Sequence, residues 1–210
     1  MIELDYAKLA ATPVANDPFP HAVVGQFVPP DTLRAVVADL PAINARGSFP
    51  PESVKLGPAA AALMEAMEGP RLRDVIAAKF GLDLSDAPTM VTLRGRTEAR
   101  DGKIHTDSLA KRVTILLYLN PETEDWARQD GCLRLLRGKD DLEDYAIEVP
   151  PVNGTLLVFP NGPATWHGHK SFAGKRYAVQ LNYMMTDAKA RYELRRHRWS
   201  AFVKKVLRAT

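Results

Sequence analysis

The stretch GKIHTDSLAKRVTILLYLN, residues 102–120, decides the reading of this chain. Its second half, KRVTILLYLN, is rich in β-branched and aliphatic residues and stops at Asn120-Pro121, as a strand does. Its first half sets an imidazole and a carboxylate two residues apart, His105 and Asp107. On a strand, side chains two apart share a face, so the spacing aims both groups at one point. A neutral imidazole nitrogen and a carboxylate oxygen suit a borderline divalent metal such as Fe(II). Two ligands hold a metal weakly, so a third is expected from elsewhere in the chain.

Downstream of this stretch the texture stays β-like. MVTLRGR, GCLRLLRG, YAIEVPP, GTLLVFP and KRYAVQLNYMM are short β-prone runs divided by Pro150-Pro151 and Asn161-Gly162-Pro163. Strands without intervening helices predict an antiparallel sandwich or barrel. Upstream, three helices are predicted: one after Pro30 burying Leu33, Val36, Val37 and Leu40; one from Pro58 through Met67; and one from Pro70 burying Leu72, Val75, Ile76 and Phe80. HAVVGQFV, from His21 to Val28, reads as a strand. The chain thus divides into a helical support (1–87), a β core (88–186) and a basic C-terminal helix (187–210) whose stripe is Tyr192, Trp199, Phe202, Val203 and Val206.

The third ligand is expected in TWHGHKSFAGKRYAVQLNY. His167 and His169 both fit a strand face, and both stay candidates on spacing alone. Two His and one carboxylate form a facial triad that leaves coordination positions open. Nine residues past His167, after Ala173-Gly174, stands Arg176, placed for a hairpin to return it toward the metal. Its rigid fork pairs bidentately with a carboxylate. Tyr118, on the strand after Asp107, could donate to the same group.

HTD, KRVTILLYLN, GCLRLL, WHGH and GKRYAVQLNY together resemble the 2-oxoglutarate/Fe(II) oxygenase superfamily, in its prolyl-4-hydroxylase-like branch, over roughly Met90 to Met185. The resemblance implies a double-stranded β-helix, the jelly-roll and cupin-like architecture, braced by the N-terminal helices. It implies His105, Asp107 and His167 as iron ligands. Arg176 would anchor the distal carboxylate of 2-oxoglutarate, with Tyr118 bonding to it. Fe(II), 2-oxoglutarate, O2 and ascorbate are the implied cofactors and co-substrates, and C–H hydroxylation with release of succinate and CO2 the implied reaction. Instead of the tyrosine-rich lead-in of many prolyl hydroxylases the chain offers Arg94, Arg96 and Arg100. That difference points to an anionic or polar substrate, whether small molecule, peptide or glycan.

Composition sets the outer limits. The 210 residues are 46% hydrophobic and 25% charged, ordinary for a globular domain. The net charge of +3 gathers in the last stretch, from Lys189 to Arg208, which reads as a solvated helix face before it reads as a nucleic-acid arm. With one cysteine, Cys132, no intrachain disulfide can form. No apolar stretch approaches the ~20 residues of a membrane span, and the first residues carry no secretory pattern. A cytoplasmic protein of undetermined oligomeric state is expected. Two competing readings are a non-catalytic jelly-roll module whose basic helix meets an anionic partner, and a cupin-like metalloenzyme that does not use 2-oxoglutarate.

Overall fold

The computed structural model describes residues 2–122, 126, 130–187 and 191–195. Four helices, α1 (Tyr6–Ala11), α2 (Pro30–Ala38), α3 (Pro58–Glu68) and α4 (Pro70–Phe80), precede most of the sheet. The strands are β1 (Ala22–Val24), β2 (Thr89–Thr97), β3 (Lys111–Tyr118), β4 (Leu133–Leu136), β5 (Tyr145–Val149), β6 (Leu156–Pro160), β7 (His167–His169) and β8 (Gly174–Met184). They form two antiparallel sheets, a major one in the order β1-β6-β3-β8-β2 and a minor one in the order β5-β4-β7.

The sequence of β3 explains the layering. Val113, Ile115 and Leu117 turn to one side and join Leu181 of β8 and Leu63 and Ile76 of the helices in the larger core. Tyr118 turns to the other side and meets Leu133, Leu135 and Phe159 between the sheets, while Thr114 and Leu116 line the cavity there. A strand covered on both faces needs apolar residues on both, so KRVTILLY reads as a nearly continuous hydrophobic run rather than an alternating one.

Helix starts follow the prolines. Pro30, Pro58 and Pro70 each occupy the first turn, where a missing N–H costs nothing because no intrahelical acceptor awaits it. α4 ends at Gly81 in the left-handed conformation, φ +62, the usual glycine terminator.

Three expectations are corrected. The strand expected over 21–28 spans only Ala22–Val24, because the chain turns at Gly25 and Gln26, the latter at positive φ. Val37 is 37% exposed, since α2 buries the Leu33/Val36 line against α3 and turns Val37 outward. His167 and Arg176 are not joined by a hairpin: β7 belongs to the minor sheet and β8 to the major, so the intervening residues cross between layers. Of the C-terminal helix, residues 191–195 are helical; there Leu194 packs on Ala110 and Met184, whereas Trp199, Phe202, Val203 and Val206 lie outside the described residues. No helix among the described residues is long and apolar enough to cross a membrane.

Candidate active site

One atom from each of His105, Asp107 and His167 lies within 4.8 Å of the other two, close enough for one ion to bridge all three. The route to this convergence differs from the expected strand pair. His105 makes a single antiparallel bridge with His167, with backbone bonds of 3.0 and 2.9 Å that extend the minor sheet by one residue. Asp107 lies outside any strand. Its position is set by side chains instead: Lys111 Nζ donates to Oδ1 at 2.6 Å and Thr114 Oγ1 to Oδ2 at 2.7 Å. Asn161 joins the two halves of the site. Its amide donates to the carbonyl of Ser108 at 2.8 Å, and its Oδ1 accepts from Thr165 Oγ1 at 3.0 Å.

The histidine tautomers follow from their partners. Nδ1 of His105 lies 2.8 Å from the Lys103 carbonyl, and Nδ1 of His167 lies 2.9 Å from that of Thr165. A carbonyl only accepts, so each Nδ1 carries the proton and each Nε2 presents its lone pair. Burial pushes the His167 pKa down to about 4, which keeps that lone pair free at neutral pH. Burial alone would raise the Asp107 carboxyl, but Lys111 above all holds it below its ordinary value. Two neutral imidazoles and a carboxylate are the protonation states a divalent metal requires.

The three groups open on a cavity of about 330 Å³ whose far wall carries Arg176 and Tyr118. Arg176 is 7% exposed. Its Nε donates to the Gly131 carbonyl at 2.9 Å, but its Nη2 has no partner. The Tyr118 hydroxyl is also buried and without a partner, and its ring lies 5.2 Å from the Arg176 guanidinium. Buried polar groups are nearly always bonded, and orphaned donors clustered in one cavity mark where an acceptor belongs. Burial raises the Tyr118 pKa, so the phenol stays a donor. The residues therefore fit a bidentate anion between metal and arginine.

His169 lines the same cavity but stands outside the metal-competent group; its Nδ1 is bonded to the Lys170 carbonyl at 2.8 Å. Gly102 sits against it at φ +88, where any Cβ would lie 2.4 Å from the His169 carbonyl oxygen and 2.5 Å from its ring. Asn182 is buried near Thr114, 3.3 Å from its hydroxyl. Cys132 is buried, and burial lifts its thiol to about 11, so it behaves as a small apolar residue.

Sequence reasoning missed the Asp107 clamp of Lys111 and Thr114, and treated Asn161 and Asn120 as turn markers. Asn120 is a splice instead. Its Nδ2 bonds the Pro151 carbonyl at 2.5 Å and the Tyr177 carbonyl at 3.0 Å, and its Oδ1 accepts from the Tyr177 N–H at 2.7 Å, fixing β8 next to Arg176.

A two-layered antiparallel fold holding a two-His, one-carboxylate group opposite a buried arginine defines a non-haem metal enzyme with an anionic co-substrate. Residues 95–184 match the model of the 2OG-Fe(II) oxygenase superfamily, and all five residues named above lie in that segment. No curated protein matches the sequence. Among solved structures, a prolyl-4-hydroxylase of Pseudomonas putida is similar at 19% identity and TM-score 0.61, over 89% of this chain and 95% of that one. A prolyl hydroxylase of Trichoplax adhaerens, in complex with a hypoxia inducible factor peptide, is similar at 17% identity and TM-score 0.51, over 90% of each chain. HygX of Streptomyces hygroscopicus, with nickel and 2-oxoglutarate bound, is similar at 15% identity and TM-score 0.53, over 79% of this chain and 82% of that one. At such identities the likeness is one of fold, and that fold is the double-stranded β-helix.

Proposed function

We propose that His105, Asp107 and His167 hold Fe(II), that Arg176 and Tyr118 grip the distal carboxylate of 2-oxoglutarate, and that the enzyme hydroxylates a C–H bond of a small molecule or peptide. The observation that carries this reading is the pairing of a metal-competent triad with two orphaned, buried donors across one cavity. Iron with 2-oxoglutarate and O2 would supply oxidative decarboxylation, giving succinate, CO2 and an oxidant for the substrate. The chain's own contribution is placement. Lys103 and Thr165 carbonyls fix both imidazoles through Nδ1, leaving Nε2 free; Thr114 orients the Asp107 carboxylate; the Gly131 carbonyl holds the Arg176 guanidinium through Nε. Leu116, Leu133 and Ala178 line the cavity with apolar surface, which limits water around the reacting groups.

Anaerobic Fe(II) and 2-oxoglutarate should give a visible charge-transfer band in the wild type. His105→Ala or Asp107→Ala should abolish it, and Arg176→Ala should shift its 2-oxoglutarate midpoint upward. A wild type that binds metal and shows no response to 2-oxoglutarate would sink the assignment and favour a cupin-like enzyme. The peptide complex of the Trichoplax relative supports a peptide among the substrates to be screened, and the lone cysteine supports a reducing compartment such as the cytoplasm. A binding module has no use for a metal-competent triad facing buried, unpaired donors in one cavity, so the enzyme reading stands ahead of it.

A further inference from the structure

Arg176 is not the only arginine in the cavity. Arg94 lies on β2 directly opposite Ala178 of β8, the residue that follows Arg176 on the inward face. Arg94 is the last residue paired in this register before a bulge shifts it toward Arg96, and its pairing with Ala178 turns it to the side of Arg176, where both line the same cavity. Its side chain reaches solvent at the mouth. Even so, the enclosing walls, and then the nearby Arg176 guanidinium, hold its pKa below the ordinary arginine value, while Asp107 pulls the other way. Arg94 therefore stands within electrostatic reach of both the co-substrate end and the metal end of the site.

The other charges of the cavity are accounted for. Arg46 Nε pairs with Asp101 at 2.6 Å, and Arg100 Nε with Glu98 at 2.9 Å. Asp107 belongs to the metal and Arg176 to 2-oxoglutarate. The side chains of Arg94 and of Lys103 at the rim make no hydrogen bond or ion pair with the described residues. Fe(II) and the 2-oxoglutarate dianion bring equal and opposite charge, so filling the site leaves Arg94 and Lys103 as the unpaired cations among the lining residues of a concave, partly apolar cavity. Such a setting focuses potential on whatever enters. A surface arginine is usually just solvated, but one held beside a second guanidinium is disfavoured until an anion arrives. A cavity of about 330 Å³ is at the small end for ligands. With 2-oxoglutarate inside, it admits only the reacting end of a further molecule, and Arg94 is where that end would be held.

We propose that Arg94 is the substrate anchor, taking a carboxylate on the molecule to be oxidised, with Lys103 assisting at the rim. Arg94 is a specificity residue distinct from the co-substrate anchor Arg176. The proposal rests on the iron and 2-oxoglutarate reading above and narrows it to acidic substrates.

The test uses the anaerobic Fe(II)–2-oxoglutarate holoenzyme, titrated calorimetrically with a panel of N-acetyl amino acids and the corresponding N-acetyl amino-acid amides. The charge-transfer band is recorded first in every sample; its absence in the wild type would remove the cofactor reading and this anchor with it. With the band present, acids of the panel should bind and their amides should not. Arg94→Gln should weaken acid binding by about tenfold to a hundredfold, the range for losing a charged hydrogen bond, with partial recovery in Arg94→Lys. The 2-oxoglutarate midpoint should shift far less in Arg94→Gln than in Arg176→Ala. Equal binding of acids and amides, or no binding of any acid, overturns the proposal. A 2-oxoglutarate midpoint displaced as far by Arg94→Gln as by Arg176→Ala also overturns it, by assigning Arg94 to the co-substrate.

Discussion

Tyr118→Phe should move stability and co-substrate affinity in opposite directions. The wild-type hydroxyl is fully buried and has no partner, and such a group costs about 1–3 kcal/mol in lost hydration. Phenylalanine keeps the ring against Leu133, Leu135 and Phe159 and removes only the orphan. The metal-free variant should therefore be as stable as the wild type, or more stable by up to about 1–3 kcal/mol. In the complex proposed above the same hydroxyl would donate to a carboxylate, a bond to a charged group worth about 1.5–3 kcal/mol. Its loss should weaken 2-oxoglutarate by about tenfold to a hundredfold. Urea unfolding of metal-free protein reads the first effect, with C_m compared at constant m. Anaerobic titration of the charge-transfer band reads the second. If Tyr118→Phe lowers the urea midpoint and leaves 2-oxoglutarate affinity unchanged, the hydroxyl has a structural partner and the argument from orphaned donors fails.

Three further outcomes follow from the same geometry. Burial holds His167 and His169 near pKa 4 instead of 6.5, so the unfolded chain takes up protons that the folded one refuses. Stability should be flat above pH ~6.5 and fall toward pH ~4 by about 3 kcal/mol for each histidine, at about 1.4 kcal/mol per pKa unit; His169→Gln should reduce that slope in denaturation curves of the metal-free protein, and an unchanged slope would refute it. Lys111 occupies Asp107 at 2.6 Å and would stand beside a divalent cation once metal binds, so Lys111→Met should tighten Fe(II) binding, measured by anaerobic titration, with weaker binding counting against the clamp. Arg134 is 1% exposed and bonded to Glu148 at 2.6 Å and Glu143 at 2.8 Å; Arg134→Met should cost about 3–5 kcal/mol by leaving the mostly buried Glu148 unpaired, and Arg134→Met combined with Glu148→Leu should recover much of it, read by thermal unfolding.

The β core was legible because each of its runs is bounded by turn residues, and because a strand buried on both faces is apolar throughout; β3 is the clearest case. The helices were legible from proline and glycine at their ends. Errors came where a local pattern was asked to settle a tertiary question. Whether Val37 packs inward depends on where α3 lies relative to α2, which the spacing within α2 does not contain. HAVVGQFV has the composition of a long strand, yet the backbone turns at Gly25-Gln26 and delivers Phe27 and Val28 to the core from a different direction.

The site shows the same division more sharply. Which residues would share one cavity was readable: His105, Asp107 and His167 converge, and Arg176 and Tyr118 line the same space. Their means of convergence was not. Asp107 was expected on a strand because two-residue spacing suits one, but it is held by Lys111 and Thr114, residues of the following strand that reach back to it. That difference has a chemical consequence. A carboxylate fixed by strand geometry would be a ligand whatever surrounds it, whereas one held by an ammonium and a hydroxyl has its charge compensated before metal arrives. Iron bound at Asp107 would then exchange with Lys111 for the carboxylate rather than fill an uncompensated site, and the loss of the Lys111 pair would count against metal affinity.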